Sequence, residues 1–314
     1  MSAIPVDLLE ADRRMLWGLC YRMTGNAADA DDLVQETFVR ALENPPRRLD
    51  EPLRPWLVRV AINLSRDLLR KRRRRDYAGE WLPSPIPTGG ADEPASYEPP
   101  APSEESPAAR YDMIESISIA FLIALEALTP TARAVLLLRD VFDYSTAETA
   151  EALGISEASV KVYLHRTRRR MADYDKRRAR PDSSLSAMTR RALEQFLSYL
   201  GARNVEGLER LLAEDVVSIS DGGGEVAAAM REVRGRSRVT RLILGLAQKA
   251  GPLENVSFVY LKGLPAVLIE TAIDRPGIAS LFTLHAEVDE RGRIRRLFTI
   301  LAPSKLTAIS PAHS

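Results

Sequence analysis

The residues best suited to chemistry lie on one basic segment in the middle of the chain. Between residues 156 and 180 the sequence holds 9 basic and 3 acidic side chains. Hydrogen-bond donors and cations there suit base edges and phosphates. These candidates for DNA contact are Ser159, Lys161, Tyr163, His165, Arg166 and Arg168. The segment therefore favours a nucleic-acid partner.

Two short helices are needed to position this segment. Ser145 and Glu148 have the spacing of a capping box, which predicts a helix over residues 147–153. Gly154 ends that helix, because glycine enters a left-handed turn at little steric cost. Ser156 caps the second, basic helix. The pattern predicts a helix-turn-helix; the alternative is a surface helical hairpin with a solvated cationic face.

A second basic cluster ends an earlier helix, which is predicted over residues 56–75. Six consecutive cations occupy residues 70–75. Phosphates are their natural counter-charge, the alternative being a solubilising tail. The polar residues of this helix that could contact DNA are Asn63, Arg66, Arg70, Arg72 and Arg73.

The helix predicted over residues 27–42 has an acidic face. Asp29, Asp32, Gln35 and Glu36 lie opposite its apolar positions, and Asn26 can cap its start. Taken alone, such a face is most simply a solvated surface.

Composition argues against a membrane-spanning, secreted, disulfide-bonded or metal-binding protein. The chain has 314 residues, of which 45% are apolar and 28% are charged, as in ordinary globular proteins. We find no apolar run of membrane-spanning length and no signal-peptide core, which predicts a cytoplasmic protein. With Cys20 as the single cysteine and only three histidines, the spacing predicts no disulfide, metal centre or cofactor.

The pattern divides the chain into four parts. A helical domain is predicted over residues 5–76, a linker over 77–109, the helix-turn-helix domain over 110–180 and a further domain over 185–309. Residues 76–109 hold seven acidic and no basic residues, with eight prolines from Pro83 to Pro107. Such a linker is expected to stay extended or disordered. Trp81-Leu82-Pro83 is its exception, an apolar anchor that is expected to dock on a folded surface.

The last part combines helices with alternating β-rich runs, which predicts an α+β domain with helices on a curved sheet. In the run over residues 280–288 the apolar set 282, 284, 286 and 288 is expected to face the core. The polar set Thr283, His285, Glu287 and Asp289 is then expected to face water rather than to act in catalysis. The turn from Asp221 to Gly224 is expected to be a backbone device rather than a phosphate cradle.

Both helical domains resemble bacterial sigma factors of the extracytoplasmic-function class. The segments that carry the resemblance are DADDLVQETFVRAL (29–42), RPWLVRVAINLSRDLLRKRR (54–73) and residues 128–171. The resemblance implies that Asp32, Gln35, Glu36 and Phe38 dock on the β′ clamp of RNA polymerase. It also implies that the helix bearing Asn63, Arg66 and Arg70 opens the −10 promoter element, and that Lys161, His165 and Arg166 read the −35 element.

The C-terminal domain resembles a SnoaL-like, polyketide-cyclase type cone-shaped barrel fused to such factors. The matching motifs are Trp81-Leu82-Pro83, Asp221-Gly222-Gly223-Gly224 and, in part, residues 302–306. The resemblance implies a built-in regulator whose contacts run through these residues, with room for a small-molecule ligand.

The sequence thus predicts a multidomain protein: two all-α domains, the second with a helix-turn-helix, followed by an α+β cone-shaped barrel. We expect a non-enzymatic promoter-specificity subunit, monomeric when free, whose partners are the β′ clamp and β flap of core polymerase and promoter DNA. Two alternatives stay open, a ligand-responsive DNA-binding regulator that works without polymerase and a SnoaL-like isomerase or hydrolase tethered to a transcription module.

Overall fold

A computed structural model describes residues 4–46, 52–72, 77, 79–89, 110–178, 181–249, 253–272 and 275–309 of the chain. These residues form two compact units. The first contains the described residues up to 72 and from 110 to 178. The second contains the described residues from 77 to 89 and from 181 to 309. No helix in the described ranges is long and apolar enough to cross a bilayer.

Three long helices open the first unit: α1 (Val6–Thr24), α2 (Ala27–Glu43) and α3 (Leu53–Arg72). Gly25 ends α1 in the left-handed region at φ 65°. The Asn26 side chain accepts a hydrogen bond from the Asp29 amide at 3.1 Å and so caps α2, as its position in the sequence predicts. Apolar faces of the three helices pack together around buried residues such as Leu16, Val34 and Leu57.

The described part of the first unit contains five further α-helices: α4 (Ile119–Glu126), α5 (Pro130–Asp140), α6 (Thr146–Leu153), α7 (Glu157–Arg170) and α8 (Ala172–Arg177). The predicted capping box of Ser145 and Glu148 is present at the start of α6. Gly154 takes φ 63°, and Ser156 caps α7 by accepting from the Ser159 amide at 3.2 Å. The helix-turn-helix prediction is therefore confirmed, with α7 as its second helix.

The second unit packs helices α9 (Ser183–Gly201), α10 (Val205–Leu211) and α11 (Arg236–Lys249) on one six-stranded sheet. The strands are β1 (Leu212–Asp221), β2 (Val233–Arg234), β3 (Leu253–Leu261), β4 (Leu264–Thr271), β5 (Leu281–Val288) and β6 (Ile294–Ile300).

The strand order is β2-β1-β6-β5-β4-β3. Strands β3 to β6 pair antiparallel in sequence order, whereas β1 pairs parallel with β6. The core between helices and sheet is apolar, with Leu193, Phe196, Val216 and Leu284 among its buried residues. The predicted fold class, helical domains followed by an α+β domain, is confirmed.

Candidate nucleic-acid interface and linker-binding site

Helix α7 presents most of its predicted contact residues to solvent. Lys161, Tyr163, His165 and Arg166 are exposed, and Ser159 is half-buried at the first turn. The C-terminal half of α7 borders an open cleft of about 600 Å³ that is largely cationic. Its lining residues are Arg110, Lys161, Leu164, His165, Arg168, Arg169, Ala172, Asp175 and Lys176. Such a surface attracts phosphates.

Arg168 is held differently from the other cations of α7. Its guanidinium is bidentate to the Asp140 carboxylate, with Nε–Oδ2 at 2.9 Å and Nη2–Oδ1 at 2.5 Å. The Asp140 side chain is fully buried, and the hydrogen bond raises the pKa of Arg168. The pair fastens α7 to α5, so Arg168 sets the position of the helix as well as contributing charge.

The predicted contact residues of α3 differ in how accessible they are. Asn63 and Arg70 are exposed, while Arg66 is half-buried. Arg72 forms a salt bridge with Asp29 and so ties the end of α3 to α2. Arg73 lies outside the described residues. The exposed part of this surface therefore extends from the middle of α3 to its last turn.

Helices α3 and α7 belong to the same compact unit and are close to each other. The charge of Arg66 interacts with the phenol of Tyr163, and burial is the main cause that lowers the pKa of Arg66. Two turns earlier along α3, Arg59 Nη2 lies 3.1 Å from Glu151 Oε1 on α6, and α3 packs on α5 and α6. The two surfaces predicted to read DNA thus lie side by side.

Two buried arginines join the helices before and after the linker. Arg22 of α1 donates from Nε to Ser116 Oγ at 2.7 Å and from Nη2 to the Met113 carbonyl at 2.9 Å. Arg133 of α5 donates to the Met23 carbonyl at 2.6 Å. Burial lowers the pKa of Arg22 to about 10, as expected for a guanidinium taken out of water.

Helix α2 keeps its acidic face exposed. Asp32, Gln35 and Glu36 are accessible, and Glu36 Oε1 accepts from Arg40 Nε at 2.9 Å along the helix. Phe38 is only 8% exposed, with the Arg13 guanidinium 4.9 Å from its ring centre. Phe38 therefore supports the acidic face from within, while the three polar residues form the surface.

The first half of the linker packs on the second unit. We name residues 77 and 79–89 the linker strap. Leu82, Ile86 and Thr88 are buried, which differs from the extended or disordered chain expected for this composition. The Lys262 amide donates to the Ile86 carbonyl at 3.1 Å, and the Thr88 amide donates to the Tyr260 carbonyl at 2.9 Å. Backbone pairing with the end of β3 and two apolar anchors offset the ordering cost of the strap.

Asp221, the last residue of β1, binds several groups of the linker-binding site. Its fully buried carboxylate accepts hydrogen bonds from the Tyr77 hydroxyl at 2.7 Å and from the Leu82 amide at 2.6 Å. The Lys305 ammonium lies 2.5 Å from the same carboxylate and donates to the Leu82 carbonyl at 2.6 Å. The rings of Tyr77 and Trp81 each lie 4.9 Å from this ammonium. The buried charges are therefore paired and hydrogen-bonded.

The three glycines after Asp221 form the turn that positions its carboxylate. Gly223 adopts φ 63°, its amide donates to Asp221 Oδ1 at 2.8 Å, and Gly224 adopts φ 77°. A Cβ on Gly222 would come within 2.3 Å of the Val226 carbonyl oxygen. The Ser304 amide donates to the Glu225 carboxylate at 3.2 Å, which fastens the turn to residues 302–306. The backbone geometry accounts for all three glycines.

Known protein families match both helical parts of the chain. The family Sigma-70 region 2 matches residues 8–75, and the family Sigma-70, region 4 matches residues 119–171. The chain is 34% identical to ECF RNA polymerase sigma factor SigJ of Mycobacterium tuberculosis, over 96% of this chain and 93% of that protein. The chain belongs to the extracytoplasmic-function sigma factors.

A second relative spans a similar length. Probable ECF RNA polymerase sigma factor SigI of Mycobacterium tuberculosis is 27% identical over 94% of this chain and 92% of its own length. The crystal structure of Mycobacterium tuberculosis extracytoplasmic function sigma factor SigJ superposes with a TM-score of 0.70 at 27% identity, covering 98% of this chain and 100% of that one. As a sigma factor, the protein directs RNA polymerase to promoters to initiate transcription.

One expectation about the C-terminal unit of this sigma factor is wrong. Thr283 and His285 of β5 do not face water: they are 0% and 6% exposed, and His285 Nε2 lies 3.1 Å from Thr283 Oγ1. Burial, with a smaller effect of the Lys262 charge, lowers the pKa of His285 to about 3. Burial also raises the pKa of Glu287. Both faces of β5 are covered, so its alternating pattern does not mark a solvated face.

Sequence reasoning missed several residues that hold this sigma factor together. Arg22 and Ser116 carry no motif, since a buried arginine looks like a surface one in sequence. Tyr77 lies in the predicted linker, where its sequence context marks no role. Lys305 lies in a stretch that matches its family motif only in part, and that partial match was the one signal that pointed to it.

Proposed function

We propose that this sigma factor is held inactive by its own fold and that the C-terminal unit regulates it through the linker strap. The residues of α3 and α7 are the reading surfaces for the −10 and −35 elements in this proposal. The acidic face of α2 docks on the β′ clamp, and region 4 docks on the β flap. The factor acts in the cytoplasm, where RNA polymerase acts.

The packing of α3 on the helix-turn-helix carries the proposal: Arg59 Nη2 of α3 lies 3.1 Å from Glu151 Oε1 of α6, and α3 also packs on α5. The −10 and −35 elements are centred about 25 base pairs apart, which is roughly 85 Å of duplex at 3.4 Å per base pair. While α3 packs on α5 and α6 in this way, the contact residues of α3 and α7 cannot reach both elements at once. The closed unit therefore has to open before a promoter is bound at both sites.

The exposure of α2 indicates that polymerase binds this helix before α3 and α7 separate. Asp32, Gln35 and Glu36 are accessible while α3 and α7 remain together. The clamp can therefore engage the closed factor first, and its binding free energy then favours the separated state. A partner shifts such an equilibrium only by its difference in affinity for the two states.

The linker strap supplies the second control. An acidic linker suits a basic channel of polymerase, in which it would lie extended. Residues 82–88 cannot do so while they are buried against β3 and bonded to Asp221 and Lys305. Release of the strap from the C-terminal unit is thus the regulated step.

Catalysis forms no part of this proposal. The polar residues Thr283 and His285 are buried and bonded to each other. Their arrangement serves the packing of β5 in this proposal.

Run-off transcription with core RNA polymerase tests the proposal. The full chain is compared with full-length Lys305→Ala and with Arg291→Ala, which removes an exposed cation of the same unit. Higher promoter-dependent initiation is expected for Lys305→Ala alone. Equal activity of all three proteins would remove the regulatory role of the strap, and no initiation by any of them would count against the assignment of promoter-reading surfaces.

A further inference from the structure

Much of the positive charge of the C-terminal unit lies on helix α11 and on the residues just before it. Residues 231–249 contain six basic residues and one acidic residue, Glu232. Glu232 forms a salt bridge with Arg234, and Arg236 Nε donates to the Leu212 carbonyl at 3.0 Å. Arg231, Arg238, Arg241 and Lys249 are exposed. The charge of this segment is therefore largely directed to solvent.

Three of these residues form a single stripe along α11. Arg238, Arg241 and Lys249 are separated by three and eight residues, which places them on one face of an α-helix. Val239 and Thr240 are buried on the opposite side. The stripe extends about 16 Å along the helix axis at 1.5 Å per residue. That length matches roughly five base pairs of duplex.

Gly245 lies at the centre of the same face. A Cβ at this position would meet no atom within 4 Å, so no internal contact requires glycine here. Its φ is not in the left-handed region, and glycine inside a helix costs about 1 kcal/mol relative to alanine. A gap in the side chains between Arg241 and Lys249 lets an external backbone approach the helix closely.

We propose that the α11 stripe, Arg238, Arg241, Gly245 and Lys249, binds the phosphate backbone of duplex DNA without reading its sequence. A line of exposed cations on one helix face, with open space at the glycine between them, suits a linear polyanion. In a sigma factor bound at a promoter, such a surface would hold nearby duplex and raise the occupancy of the complex. The inference does not depend on the proposed role of the linker strap.

The test measures binding of the free full-length protein to a 30-base-pair duplex without promoter elements. Fluorescence anisotropy is recorded between 50 and 200 mM salt for the wild type, Arg238→Ala/Arg241→Ala and the control Arg291→Ala/Arg295→Ala. Each lost phosphate contact should reduce the slope of log K against log salt concentration by about one. Over this range the wild-type affinity should fall about tenfold more than that of the α11 variant, and the control should behave as wild type.

A third variant separates DNA contact from folding. Gly245→Gln adds a neutral side chain with better helix propensity, so the melting temperature should rise while DNA affinity falls several-fold. Equal salt dependence of the α11 variant and its control would overturn the proposal, as would wild-type affinity of Gly245→Gln. Competition would also overturn the proposal if poly-glutamate displaced the labelled duplex at a lower total charge concentration than unlabelled duplex does. The stripe would then prefer an acidic polypeptide to DNA. No polymerase is present, so these outcomes are independent of transcription assays.

Discussion

The ammonium of Lys305 and the carboxylate of Asp221 lie 2.5 Å apart although 84 residues separate them in the chain. Their side chains are 4% and 0% exposed, respectively. Both also bind Leu82, the lysine through the carbonyl and the aspartate through the amide. One ion pair thus joins the end of β1, the turn after β6 and the linker strap. Loss of either charge leaves the other buried without its partner.

Replacement of Lys305 by alanine should therefore release the linker strap. An unpaired buried carboxylate costs about 3–5 kcal/mol, so Asp221 is expected to regain water as the strap leaves. Hydrogen exchange of the strap amides measures this directly, and those of Leu82 and Thr88 should lose protection. Arg291→Ala serves as control. Unchanged protection in Lys305→Ala would show that apolar packing alone holds the strap.

Arg22 should hold the closed state of the first unit. Arg22→Met keeps the bulk of the side chain but removes its bonds to Ser116 and Met113. Hydrogen bonds from a charged donor contribute roughly 1.5–3 kcal/mol each, so the closed arrangement should weaken by a few kcal/mol. Small-angle X-ray scattering of the full chain should show a larger radius of gyration. Arg14→Met, at an exposed position of α1, should leave that radius unchanged.

Arg166 and Arg168 should behave differently although two residues separate them on α7. Arg166 is exposed, so Arg166→Ala should weaken promoter binding by about 1–3 kcal/mol with little change in stability. Arg168→Ala leaves the buried Asp140 carboxylate unpaired and should lower the stability of region 4 by about 3 kcal/mol. Thermal unfolding together with holoenzyme binding to promoter DNA separates the two effects. Equal melting temperatures of both variants would contradict a positioning role for Arg168.

The sequence predicted local structure well because local signals are strong. The capping box at Ser145, the glycine after α6 and the cap at Ser156 depend on neighbouring residues alone, and all three are present. The parallel pairing of β1 with β6 and the bonds of Arg22 join residues far apart in the chain, which no local pattern encodes. The burial of Thr283 and His285 was missed for a related reason. A polar pair that bonds internally can be buried, although each residue alone resembles a solvated one.

The acidic face of α2 should be required for polymerase binding. Asp32→Lys/Glu36→Lys reverses two exposed charges without disturbing a buried contact, so folding should be retained. Affinity for core RNA polymerase should fall by at least tenfold, since like charges across an interface cost several kcal/mol. Asp7→Lys, an exposed acid of α1, is the matched control. Pull-down of core enzyme with normal yield by the double variant would place the interface elsewhere.

His285 should make the stability of the C-terminal unit depend on pH. Its pKa in the folded chain is about 3, against an ordinary value of 6.5, because the ring is buried between Thr283 and the charge of Lys262. Between these two values the unfolded chain binds more protons than the folded chain, so stability falls as the pH drops from 6.5 towards 3. At pH 4.5 the loss is about 3 kcal/mol relative to neutral pH, since one pKa unit corresponds to 1.36 kcal/mol.

Urea unfolding at pH 7.5 and pH 4.5 measures this effect, with His285→Gln as the comparison. Glutamine can still bond Thr283 but does not titrate, so this variant should lose about 3 kcal/mol less than the wild type on acidification. Carboxylates that protonate in the same range affect both proteins alike and cancel in the difference. Since the linker strap pairs with the edge next to Lys262, acid should also release the strap in the wild type. An identical loss of stability in both proteins would show that His285 is already solvated at neutral pH.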